Sequence, residues 1–372
     1  LHNDYNNNVW AGSTCNGLIS IREVFMKTYT DVVPGNDRGL SNSTVRSLYR
    51  QSPDSIWIGT DGGGINLFNP RTEKFTHYLS TWNDKIAFIS GFTPGKLLIS
   101  LFSKGVFVFN PATGEKQPFT IVDKETTTQL CNRGKSVNLY QNTPNTVLLL
   151  GDHVYQYHLK EKKFDKVTGE EGKSIVGTLV PFKHENNRTY INDFKHIYEL
   201  HDGDSLLQTT FECYQDTVIS SASHDEHGDF WIGSNFGLIH YNPVSQKQTH
   251  IPTNLFTEVN MVQCDQRGKV WIGADNLLFA WLIQEQKFVL FGESNGAIQN
   301  EYLPNARLVN NEGDVYIGGV KGMLRIDGQL LLNTSEMPEL QLLDIIINGE
   351  PAQNKLYSHP AAISVPWDSN IT

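Results

Sequence analysis

Several things are scarce in this chain, and each shortage removes a class of protein. Only 4 of its 372 residues are cysteine: Cys15, Cys131, Cys213 and Cys264. None belongs to a CxxC or a Cys/His cluster, so no zinc site is expected and no metal ligands are assigned. The plainest reading is four small buried side chains. An oxidising compartment would permit pairing, but the spacing assigns none. No apolar run reaches the roughly 18–20 residues needed to cross a bilayer as a helix. No signal-peptide pattern opens the chain. Lys and Arg number 30 against 40 Asp and Glu, for a formal charge of −10, and form no block. Nucleic acid is therefore not expected as a partner. HExxH, GxSxG and nucleotide-loop patterns are missing, so no catalytic residue and no cofactor is assigned.

What the chain has in quantity is aromatic residues and one recurring phrase. Fourteen Tyr, 19 Phe and 7 Trp suit an all-β protein. Ser55–Tyr78 reads as strand, glycine-rich turn, strand, Asn-Pro turn, strand. The phrase returns from Phe230 (FWIGSNFGLIHYNP) and from Val270 (VWIGADN). Looser copies start at Val9, Leu97, Val147, Thr189 and Val315. Anchors at Trp10, Trp57, Leu98, Leu148, Tyr190, Trp231, Trp271 and Tyr316 lie about 40–50 residues apart, the length of a four-stranded β-propeller blade.

The expected fold is all-β: a seven-bladed propeller of four-stranded blades, flanked by an extra N-terminal blade and the start of a C-terminal β-sandwich. Residues 1–40 read as the last blade of a preceding propeller, or as an extra blade of an eight-bladed ring. Residues 41–335 form the seven-bladed ring, and 336–372 open the sandwich after Pro338. The chain thus reads as a segment of a longer protein. The motif aromatic is expected between adjacent blades, and its glycine is expected to let the chain turn near the rim. Asp225 and Asp265 each open an Asp-x-x-Gly turn into a Trp strand, a place for which Asp is suited. Ser223–Trp231 comes close to the sialidase Asp-box, but Asp265–Trp271 shares its spacing without the Ser. Thr120–Lys135 is a long polar insertion.

The repeats IWIGTDGGGINLFNP, FWIGSNFGLIHYNP and VWIGADN resemble those of bacterial two-component regulator propellers. Asn300-Glu301-Tyr302, followed by a Gly-Gly-x-x-Gly turn at Gly318–Gly322, is similar to that family's final blade. Leu340–Thr372 resembles the opening of the sandwich domain that follows the propeller there. Between Leu97 and Asp202 the Trp-Ile-Gly signature is lost. The resemblance implies the periplasmic sensor region of an inner-membrane hybrid two-component system of the kind Bacteroides-type bacteria use to detect glycans. It further implies an oligosaccharide ligand and control of glycan-utilisation genes. The kinase and the membrane helix would lie outside this chain, and a homodimer would be the signalling form. A protein-interaction platform and a carbohydrate-active enzyme are the alternatives.

In a propeller, the turns joining second to third strands share a face with the loops entering each blade. Residues there form the candidate ligand site: Asp61, Trp82, Phe102, His153, His196, Asn235, Asp275, Asn300, Glu301 and Tyr302. Flat aromatics can stack on a sugar ring, and the polar groups can bond its hydroxyls. The plainer reading stands beside each. Phe102 can pack a loop, the two histidines can hydrogen-bond loops, and Asn300 and Glu301 can shape the last blade.

Overall fold

The computed structural model describes residues 36–79, 84–102, 104–119, 137–151, 153–169, 180–184, 188–201, 208–213, 216–265 and 267–328. Shorter pieces at 2–3, 9–13, 17–21, 25–31, 346–347 and 350–351 are described with them. Trp82, the 120–135 insertion, Cys15, Cys131 and nearly all of 336–372 lie outside the described residues. The chain divides into Leu1–Gln329 and Leu330–Thr372. Of the second unit, a short pairing of Ile346–Ile347 with Glu350–Pro351 is described.

The first unit holds seven four-stranded antiparallel sheets. Their innermost strands are Val45–Ser52, Ile86–Gly91, Asn138–Thr143, Val180–His184, Ile219–His224, Met261–Cys264 and Tyr302–Val309. Each touches the next, and the last returns to the first, so the ring closes at seven blades. We number the blades one to seven in that order. The three blades that lack the Trp-Ile-Gly signature are built like the others. Leu98, Leu148 and Tyr190 occupy the anchor position and are buried there.

The core lies between blades rather than within one. Trp57 of blade one packs with Ile86, Ile89 and Ile99 of blade two. Trp231 of blade five packs with Val259, Val262 and Phe279 of blade six. The motif aromatic therefore sits where the sequence placed it. Its glycine does not turn the chain near the rim. Gly59, Gly233, Gly273 and Gly318 lie inside second strands, and the inner strand of the following blade presses against each. A Cβ on Gly318 would come 2.5 Å from Val45 Cγ1, and one on Gly273 would come 2.8 Å from Tyr302 Cβ.

Met26–Tyr29 also departs from the sequence reading, which put it with residues 1–40 ahead of the ring. It pairs antiparallel with Gly322–Ile326 and supplies the outermost strand of blade seven. The preceding strands His2–Asn3, Val9–Ser13 and Gly17–Ile21 form a separate three-stranded sheet. Among the described residues blade seven has three strands that follow blade six in sequence, and without Met26–Tyr29 the edge of Gly322–Ile326 would be left unpaired. Closure with an N-terminal strand satisfies that edge and ties the two ends of the ring together.

Candidate functional site

The second-to-third strand turns lie at one end of the ring, as antiparallel connectivity requires. Asp61 accepts from Arg46 Nε at 2.8 Å and lies 3.3 Å from Lys85 Nζ, so it bridges blades one and two. The Asn235 side chain accepts from the Val218 amide at 2.8 Å and donates to the Asp216 carbonyl at 3.1 Å. His196 Nδ1 lies 3.2 Å from the Asp193 carboxylate, and that carboxylate also accepts the Tyr198 hydroxyl at 2.9 Å. His153 Nδ1 is buried without a partner. Asp275 and Glu301 are exposed, and Asp275 takes a positive φ of 49° in its turn.

Asn300 and Tyr302 are buried in blade seven. Asn300 Oδ1 accepts from the Lys321 amide at 2.8 Å, and its own amide donates to the Asn276 carbonyl at 2.8 Å. The Tyr302 hydroxyl donates to the Ile298 carbonyl at 3.2 Å, and burial raises its pKa far above the usual range. The Asn-Glu-Tyr motif thus holds blade seven against blade six. Phe102 is about half exposed, as are Phe194 and Phe236. The Phe194 carbonyl accepts from the Ile219 amide and the Val218 carbonyl from the Asn235 amide. These bonds bring the backbone segments that carry the exposed Phe194, Val218 and Phe236 together across blades four and five.

A hollow lies elsewhere, in the central channel. It has a volume of about 730 Å³ and, among the described residues, is lined by the inner strands of blades one, two, three, five, six and seven. Gln141, Gln263 and Arg307 are among its polar lining residues. Asp225 and Asp265 reach it as well, but both carboxylates are committed to the turns that follow. Asp225 Oδ1 accepts from the amides of His227 (2.9 Å) and Asp229 (3.1 Å), and its Oδ2 accepts Trp231 Nε1 at 2.9 Å. Asp265 repeats the pattern with Arg267, Lys269 and Trp271. Burial pushes the Asp265 carboxyl up, and these bonds pull the other way.

Asp225, Asp229 and His240 bring ligand-type atoms within 4.8 Å of one another. All three already take part in hydrogen bonds. Asp229 accepts from Asn242 Nδ2 at 2.6 Å and lies 2.8 Å from His240 Nε2, and the His240 ring lies over Trp231 at 4.5 Å. The group is a hydrogen-bonded brace from turn to Trp strand. Replacing Asp225 with Ala strands a buried indole N–H and two turn amides. It is expected to lower stability by roughly 3 kcal/mol in urea unfolding.

The sequence reading did not reach the channel. Its signal was an Arg at position 307 within the inner strand Tyr302–Val309, where a charged side chain is out of place unless the strand lines a polar cavity.

Fold and channel together define a seven-bladed β-propeller with a hollow in its central channel. No family model matches the chain, and no curated protein matches it by sequence. Solved structures do. The extracellular domain of a Bacteroides thetaiotaomicron hybrid two-component system superposes with a TM-score of 0.71 over 98% of this chain, at 18% identity. That match takes in 49% of the other chain, so this chain spans about half its length. A second such extracellular domain from the same organism matches 81% of this chain and 39% of its own, with a TM-score of 0.61 and 15% identity. Virginiamycin B lyase from Staphylococcus aureus matches with a TM-score of 0.58 and 10% identity, over 81% of this chain and 98% of its own. At these identities the shared property is the propeller fold.

Proposed function

We propose that this chain is part of the extracytoplasmic ligand-sensing region of a membrane-bound hybrid two-component regulator, and that its ligand is an oligosaccharide. The observation that carries this reading is the 98% coverage by a hybrid-system extracellular domain. The resemblance of the repeats and of the Asn300-Glu301-Tyr302 motif points the same way. On this reading the chain is periplasmic, a homodimer is the signalling form, and glycan-utilisation genes are the output. The ligand acts by binding one arrangement of propellers or subunits better than another, since only differential affinity shifts such an equilibrium. The commitment of Asp225 and Asp265 to turns supports a binding role over hydrolysis, which needs a pair of carboxyl groups about 5–10 Å apart that are free to act.

Calorimetric titration against oligosaccharides that differ in backbone and charge tests the proposal. Saturable heat with one glycan class supports it, and silence across the panel for the folded chain joined to its upstream region sinks it. A second reading, a platform for a partner protein, draws on the exposed Phe194, Val218 and Phe236. Loss of oligosaccharide binding in Phe194→Ala and Phe236→Ala would assign that surface to the sugar instead.

A further inference from the structure

The hollow of the central channel lies away from the loop face. In blades one, two, five and six it is lined by residues 47–50, 88–90, 223–226 and 263–265, which are the later parts of inner strands and the turns that follow them. Those stretches approach the first-to-second strand turns, at the end of the ring opposite the second-to-third strand turns. Its volume of about 730 Å³ lies within the range of about 300–1,000 Å³ common for small-molecule sites. The lining holds three carboxylates and two guanidinium groups, so neither sign is favoured. Most of these charges serve the fold. Asp225 and Asp265 hold their turns, Arg307 donates to the carbonyls of Pro304, Ala222 and Val262, and Arg50 donates to Asn311 at 2.8 Å. Glu226, about half exposed, lies 3.6 Å from His227.

Two neutral side chains of the lining are each held by one end only. Gln141 Oε1 accepts the Tyr49 hydroxyl at 3.0 Å. That bond joins blades one and three across Gly91 of blade two, where a Cβ would come 2.2 Å from both atoms. It fixes the Gln141 amide and leaves Nε2 without an acceptor among the described residues. Gln263 is held the other way round. Its Nε2 donates to the Cys264 carbonyl at 2.9 Å and lies 3.4 Å from Ser223 Oγ, and its Oε1 is left without a donor among the described residues. Both side chains are partly exposed, and both residues line the hollow. An amide offers two donors and one acceptor oxygen. The hollow therefore presents one oriented neutral donor and one oriented neutral acceptor, with Tyr140 in the same lining. An aromatic residue beside a few fixed polar groups is the pattern of an oriented small-molecule site.

We propose that this hollow seats an uncharged sugar unit, with Gln141 Nε2 donating to its hydroxyl oxygens and Gln263 Oε1 accepting from its hydroxyl groups. Hydroxyls both donate and accept, so one ligand answers both amides. The inference rests on the oligosaccharide reading and gives that ligand a site and a charge. On the loop face, by contrast, Asp61, Asn235, His196, Asn300 and Tyr302 are already bonded within the fold.

The test is calorimetric titration of the chain joined to its upstream region with maltotriose, cellotriose, xylotriose and mannotriose, and with trigalacturonate as the charged comparison. Saturable binding of a neutral trisaccharide is expected. Gln141→Glu keeps the oxygen that accepts the Tyr49 hydroxyl and removes the donors, so it is expected to fold as the parent does. It should weaken binding about three- to tenfold, the loss of one hydrogen bond. Gln263→Ala should do the same, and Phe194→Ala on the loop face should leave binding unchanged. Neutral binding that neither channel variant alters overturns the proposal and leaves the sensor reading standing. So does binding of trigalacturonate alone. Silence with every sugar overturns both.

Discussion

Deleting residues 1–29 is expected to cost the ring about 3–6 kcal/mol, because the deletion exposes the sites of two fully buried side chains. Met26 and Tyr29 are 1% and 3% exposed, and Tyr29 packs on Phe68 and Phe75 of blade one at 5.0 and 5.5 Å. The strand that carries them closes blade seven. Two glycines make room for it. A Cβ on Gly296 would come 2.1 Å from the Met26 carbonyl, and one on Gly322 would come 2.3 Å from the Tyr29 carbonyl. Both have positive φ, 92° and 125°. Without the strand, Gly322–Ile326 becomes an open edge that invites pairing with another chain. The measurement is the urea midpoint, together with light scattering against protein concentration. An unchanged midpoint with a monomeric product would refute the prediction.

The same seam is expected to weaken in acid. The Tyr29 hydroxyl donates to Glu73 Oε1 at 2.9 Å, and Lys27 bonds the other carboxylate oxygen. Arg325, 2.9 Å from Asp314, lies near Glu73 as well. The hydrogen bond from Lys27, helped by the one from Tyr29, holds the Glu73 pKa below its ordinary value of 4.5. A carboxyl lowered on folding contributes stability that is complete above its unfolded value and lost as pH falls through the folded one. Between pH 7 and pH 3, the parent should therefore lose more stability than Glu73→Gln, read as the difference in urea midpoints.

The second large effect is expected at the motif glycines. Gly233→Ala and Gly318→Ala should each cost about 2–3 kcal/mol by overpacking a blade interface. The new methyl at 233 would lie 2.6 Å from Val259 Cγ1 and 2.8 Å from Val262 Cγ2. At 318 it would meet Val45 Cγ1 at 2.5 Å and Ala306 Cβ at 2.7 Å. Val is β-branched and stiff at χ1, so it cannot swing aside as a long side chain does. Gly95→Ala is the control. Its φ is 77°, but nothing lies within 4 Å, so backbone strain alone should cost about 1 kcal/mol. Equal thermal shifts for the three variants would show that the interface does not decide the cost.

How far the sequence could be read depended on what kind of interaction fixed each feature. The repeat of Trp-Ile-Gly phrases is local, so blade length and the burial of Trp57, Trp231 and Trp271 were legible, while seven and eight blades stayed open until ring closure was seen. The turn aspartates were legible as turn openers from their spacing to Gly228 and Gly268. Their bonds to the indoles of Trp231 and Trp271 were not, because those depend on the register of neighbouring strands. Asn300 and Tyr302 looked like surface candidates from their place before a strand. Only packing against Gly273 and Lys321 shows them buried.

The amino-acid sequence by itself determined the all-β class and the propeller, since the repeat carries its own pattern of strands and turns, but it left seven and eight blades both open. Tertiary structure alone decided two further things. It moved Met26–Tyr29 out of its own repeat to the edge of a strand nearly 300 residues away in sequence. It also gathered Gln141, Gln263 and Arg307 around one hollow. Both follow from ring closure, which brings the ends of the chain and the inner strands of distant blades together at a distance that no local pattern encodes.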